Sequence, residues 1–197
     1  GDEAVGLYKA ELATDTTPAH RARMLMVADL IDRDLGAEIA IALADENPKV
    51  RHAAFGLAER LGGIEITTLL LSYIDSPDIP LAEGAIRTLG RICARNAAPA
   101  LVEVIKTARE PRTTTAACTA LGCICSKDAV EPLITLLKPK GFLWFKKEQP
   151  AAVRAAAALA LASIGDPAGL EFLATIADDP DPRVREAVKR ASPGKSP

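Results

Sequence analysis

Apolar residues along this chain recur at helical spacing in short blocks, and each block ends at glycine, proline or aspartate. The stretch Ala151–Pro182, AAVRAAAALALASIGDPAGLEFLATIADDPDP, shows the whole pattern. Pro150 suits a first helical position, where its missing N–H is of no consequence. Ala152 to Ile164 is rich in alanine and leucine, so helix propensity is high and the side chains are slim. Gly165 stops that helix by accepting a left-handed conformation. Asp166 and Pro167 open a second helix as N-cap and first helical residue. Leu170, Leu173, Ala174, Ile176 and Ala177 give it an apolar stripe. Asp178-Asp179-Pro180 closes it, and Asp181-Pro182 opens the next unit. One such hairpin is too thin to bury its apolar face alone, so neighbours must stack on it.

The unit recurs. His20, Val50, Leu81, Thr113, Val153 and Val184 hold equivalent places, separated by 30, 31, 32, 40 and 31 residues. The predicted first helices are Ala19–Asp32, Pro48–Leu61, Pro80–Cys93, Pro111–Cys125, Pro150–Ile164 and Pro182–Ala191. The predicted second helices are Gly36–Ala44, Ile64–Ile74, Ala97–Thr107, Asp128–Leu137 and Ala168–Ala177. Residues 1–17 then form an N-terminal cap or a flexible segment. Residues 18–191 form the array, interrupted by an insertion at 138–149. Residues 192–197, SPGKSP, form a disordered, breaker-rich tail.

The VR…A…ALA..IGDP grammar of Val153–Pro167, echoed by Thr88–Ile92 and Ala120–Ile124, resembles HEAT repeats of the short type described in phycobilin lyases. The resemblance runs from about Pro18 to Arg190. It implies an all-α fold: an α-solenoid, a right-handed superhelix of stacked helix-turn-helix hairpins with a lone terminal helix. Ala82 and Thr114 depart from the pattern, standing where other repeats carry arginine. The grammar specifies a fold and says little about activity. Its implied role is that of a non-enzymatic protein–protein interaction scaffold, with a bilin-lyase-type enzyme or enzyme subunit as the alternative.

Bulk composition narrows the field. Of 197 residues, 49% are hydrophobic and 25% charged, enough to fold; aromatics are only 4%, which suits slim, closely stacked helices. A net charge of −2 gives no global pull toward nucleic acid or anionic membrane. No apolar run reaches the roughly 18 residues of a membrane span. Four cysteines in apolar helical settings fit a reducing, cytoplasmic environment. The chain begins GDEAV, which points to a piece of a larger protein. No cofactor is expected. The resemblance also brings deoxyhypusine hydroxylase to mind, but its iron-holding His-Glu pairs are missing: His20 precedes Arg21 and His52 precedes Ala53. A glycosylase-like basic, aromatic groove is equally lacking.

Four features stand out. Arg21, Arg51, Arg154 and Arg185 share one repeat position and are expected to form a structural ladder with Asp45, Asp178 and Asp181. The insertion holds three of the seven aromatics, Phe142, Trp144 and Phe145, among Lys138, Lys140, Lys146 and Lys147. Aromatics ringed by lysine suit a partner hot spot, with a membrane-interface anchor and a packing plug as the open alternatives. Second helices of HEAT-like hairpins line the binding face. There one column reads Ala42, Ser72, Glu103, Thr135, Thr175 and another Glu38, Thr68, Pro99, Glu131, Glu171. Glu103, Glu131 and Glu171 thus give a mildly acidic surface, open to two readings: an ordinary solvated face, or the rim of a groove for a basic or polar protein segment. Last, Cys93, Cys118, Cys123 and Cys125 are expected to be small buried thiols and not metal ligands, since Cys118 and Cys125 lie about 10 Å apart along one helix, too far for one zinc ion.

Overall fold

The computed structural model describes residues 5–7, 10–11, 17–28, 34–107, 109–138 and 149–191. Every regular element among them is helical. Beyond the helical residues 5–7 and 10–11, the α-helices among the described residues are, in order, α1 (Pro18–Val27), α2 (Gly36–Leu43), α3 (Pro48–Leu61), α4 (Gly63–Leu71), α5 (Ile79–Arg91), α6 (Ala98–Thr107), α7 (Pro111–Ile124), α8 (Val130–Leu137), α9 (Ala151–Ile164), α10 (Pro167–Thr175) and α11 (Pro182–Ala191). Odd numbers are the first helices of the predicted hairpins and even numbers the second. Single 3-10 turns, Arg95–Ala97 and Lys127–Ala129, lead into α6 and α8.

The helix starts follow the residue chemistry. Pro18, Pro48, Pro111, Pro167 and Pro182 each begin a helix, where no intrahelical N–H bond is lost. Asn47, Asp166 and Asp181 accept from the backbone N–H two residues on, at 2.9, 3.0 and 2.9 Å, which satisfies donors the helix leaves unpaired. Pro150 differs from expectation: with ψ 143° it is an extended N-cap, and Ala151 begins α9. At the other ends, Gly62 and Gly165 take φ of 60° and 69°. Cys93 and Cys125 take φ of 51° and 55° at the same repeat position. A side chain in that region is strained by about 1 kcal/mol, so these helix ends use cysteine where glycine would be easier.

The chain divides into two compact units, Gly1–Thr88 and Leu89–Pro197. In the first, α1 packs on α3, and α2 on both α3 and α4. Leu25, Leu35, Ile39, Leu43, Leu57 and Leu70 are fully buried there. Arg60 reaches back to donate to the carbonyls of Leu25 and Met26, both at 3.0 Å, near the end of α1. In the second unit, α9 lies between α7 and α11, while α8 contacts α6 and α10. First helices therefore pack on first helices and second on second, the stacking expected of an all-α repeat array. Slim residues make it tight. Ala155 to Ala158 and Ala160 are buried in α9. A methyl placed on Gly90 would sit 2.7 Å from Ala120 Cα, and one on Gly122 3.0 Å from Ala160 Cα. The helices meet backbone to backbone at these points.

Candidate functional site

In the second unit, α6, α8 and α10 share one exposed face. It carries Glu103 from α6, Glu131 and Thr135 from α8, and Glu171 and Thr175 from α10, all exposed. Between α6 and α8 the face dips into an open pocket of about 300 Å³ lined by Ile105, Lys106, Glu131, Pro132, Thr135 and Leu136. Pro132 falls in the first turn of α8, where its missing N–H removes no hydrogen bond within that helix. Lys106 lies one turn from Glu103, 3.6 Å away. Lys138 sits over the Phe172 ring at 5.8 Å from its centre, a distance at which a cation is drawn to the ring face. On this face the Thr175 hydroxyl bonds to its own helix, to the Phe172 carbonyl at 2.7 Å; in the first unit Thr68 and Ser72 do the same, to Ile64 and Leu69 at 2.9 and 2.7 Å. The exposed charged groups of this face are Glu103, Glu131 and Glu171 together with Lys106 and Lys138.

Most residues of the two columns are exposed. Ser72, Thr68 and Pro99 are exposed along with the residues above, and Glu38 is half-buried. Ala42 is the exception, buried in the core with 6% exposure; at that turn α2 leans its small side into the packing. Lys106, Pro132 and the Lys138–Phe172 contact escaped the sequence reading, because nothing in repeat grammar marks a lysine or a proline as pocket lining. Phe142, Trp144, Phe145, Lys140, Lys146 and Lys147 lie outside the described residues, as do 192–197.

The arginine ladder takes a definite form. Arg21 pairs with Asp45 at 2.8 Å, and Arg154 with Asp179 at 2.9 Å. Each aspartate also accepts from the backbone N–H two residues on, Asn47 and Asp181, at 2.8 Å. The next repeat's arginine then closes on the same turn. Arg51 donates to the carbonyls of Asp45 and Glu46, and Arg185 to those of Asp179 and Pro180. The expected partner Asp45 is correct; Asp178 and Asp181 are not, since Asp179 occupies the place equivalent to Asp45. Asp181 instead caps α11 and holds Arg183 at 3.0 Å. Hydrogen bonds from the Arg183 side chain and backbone bring the Asp181 carboxyl down to about 2. In the middle of the array Ser76 takes the aspartate's place and accepts from Asp78 N–H. Ala82 and Thr114, where arginine is missing, are buried. Arg21 and Arg154 thus reach to the turn after their own hairpin, while Arg51 and Arg185 close on the turn before their own helix.

The cysteines correct the expectation of four buried thiols. Only Cys118 is buried; Cys93, Cys123 and Cys125 are exposed, and all four are free thiols. Burial pushes the Cys118 thiol up to about 12. No group of three or more potential metal ligands gathers among the described residues. No helix among them is long and apolar enough to cross a membrane.

The family model for HEAT repeats matches residues 66–143 and 141–192. No curated protein matches the chain. Among solved structures it is similar to the complex of CpcE and CpcF of phycocyanin lyase from Nostoc sp. PCC7120, with TM-score 0.61, 20% identity, 93% of this chain and 74% of that one covered. It is also similar to an engineered protein, with TM-score 0.54, 20% identity, and 96% and 94% covered. Identities this low speak to the fold. That fold is the all-α helical solenoid, and with the repeat match covering more than half of its length, the chain belongs to the HEAT-repeat family.

Proposed function

We propose that this protein is a non-enzymatic interaction scaffold whose second-helix face receives a polar or basic segment of a protein partner. The observation that carries the reading is the alignment of exposed Glu103, Glu131 and Glu171 on three stacked helices beside an open pocket. A preformed helical stack offers wide surface at small ordering cost, and affinity then rests on a few anchors. We assign those anchors to Phe142, Trp144 and Phe145, with Lys146 and Lys147, on their sequence chemistry: large rings beside cations at the one place where the repeat spacing lengthens.

Affinity capture with the intact chain, a Glu103→Lys/Glu131→Lys/Glu171→Lys variant and a variant lacking Lys140–Lys147 tests both parts. Loss of the same captured protein in both variants supports the reading. Equal capture by all three overturns it. Liposome co-sedimentation of the deletion variant separates a membrane anchor from a protein anchor. The lyase likeness bears on the fold alone, and an absorbance change on mixing with a bilin and an acceptor protein would favour that alternative instead.

A further inference from the structure

At the last turn of α5, Gly90 meets Ala120 of α7 with almost no space between backbones. Three residues further along both segments stand Cys93 and Cys123. The Cys93 sulfur lies 4.0 Å from the Cys123 carbonyl oxygen. Because contact at residues 90 and 120 is followed by contact at 93 and 123, the two segments advance in the same sense, side by side. With the left-handed turn at Cys93, its sulfur sits between its own helix end and the neighbour's last turn, 4.0 Å from the Arg91 carbonyl oxygen and 4.0 Å from that of Cys123. The next repeat reproduces the arrangement: Gly122 meets Ala160, and the Cys125 sulfur lies 3.9 Å from the Ser163 carbonyl. The slot is thus a property of the repeat, and in the 93/123 copy both facing residues are cysteines. Both thiols of that copy are exposed.

We propose that Cys93 and Cys123 are a modification site, a dithiol that closes to an inter-repeat disulfide. The co-reactant is a low-molecular-weight disulfide. The Cys93 thiolate attacks one of its sulfurs, forming a mixed disulfide and expelling one thiolate. The Cys123 thiolate then attacks the Cys93 sulfur and expels the second thiolate. Two electrons pass to the co-reactant, and the two cysteine protons end on its two released thiols. An excess of small thiol reverses both steps. Cys118 takes no part, being buried and held protonated, and Cys125 faces the serine-containing slot.

The test uses the full chain incubated with oxidised glutathione, then blocked and cleaved with trypsin without reduction. Cleavage separates Cys93, on Ile92–Arg95, from the other three, on Thr113–Lys127. The expected result is a cross-link between these peptides, about 2 mass units below their sum for the two hydrogens lost. It persists in Cys118→Ala and Cys125→Ser, disappears in Cys123→Ser, and reverts with dithiothreitol. Ser163→Cys should add a second bond, from Cys125, in the equivalent slot. Circular dichroism confirms that each variant is folded. A cross-link lost in Cys125→Ser but kept in Cys123→Ser, a bond only between molecules, or no bond at any glutathione excess would overturn the assignment.

Discussion

Single residues decide how the repeats are tied at their corners. Arg154 and Asp179 retain side-chain exposures of only 10% and 13%, so removing one partner strands the other in a place water reaches poorly. Arg154→Ala is expected to cost roughly 2–4 kcal/mol, measured by urea denaturation. Arg21→Ala, at a more open pair, should cost less, roughly 1–2 kcal/mol. Asp181 gives a pH signature. Its folded-state carboxyl titrates near 2, below the ordinary carboxylate range, through hydrogen bonds from Arg183. The stabilisation by this cap is therefore present above that ordinary range and fades as pH falls toward 2. Carboxyl titration by NMR should find that midpoint, and Arg183→Ala should move it upward. The ladder was legible in sequence as a repeated arginine. Its acid was not, because Asp178, Asp179 and Asp181 crowd one turn and only backbone geometry shows which of them points back.

At the scale of elements, slimness governs packing. Gly90→Ala introduces a carbon against the Ala120 backbone, and the helices must part; a loss of roughly 1–3 kcal/mol is expected. Gly56→Ala meets only the Arg60 side chain, at 3.8 Å, so improved helix propensity should raise stability by roughly 0.5–1 kcal/mol. Thermal melts of the two variants should shift in opposite directions. Helix number, order and most boundaries followed from the spacing of apolar residues and the Pro and Gly punctuation. Which glycines lie in close contact did not, since Gly90 in TLGR and Gly56 in FGLA both sit within a helix among apolar residues and look alike until the neighbour is known. Cys93 and Cys125 were hidden for a related reason: an apolar context suggests burial, whereas a helix end turns its last residue outward.

For the molecule as a whole, nearest-neighbour stacking sets the reach of any change. Helix α11 covers α9 with Val184, Ala187 and Val188, an apolar contact worth roughly 3–5 kcal/mol. A chain ending at Asp181 should show faster hydrogen exchange in α9 and α10 and unchanged protection in α1 to α4, as expected where each repeat leans only on the next. The same logic explains why fold and site differ in legibility. A repeated motif writes its fold many times over, so errors at one copy are corrected by the others. A binding surface is written once, in the residues where the copies disagree.

The two left-handed cysteines illustrate such disagreement. Glycine at 93 and 125 would relax both helix ends, by roughly 1 kcal/mol each, and would match the residues at 62 and 165. A protein so altered would be sturdier and chemically mute along that edge. The chain as it stands trades robustness for sulfur within reach of solvent.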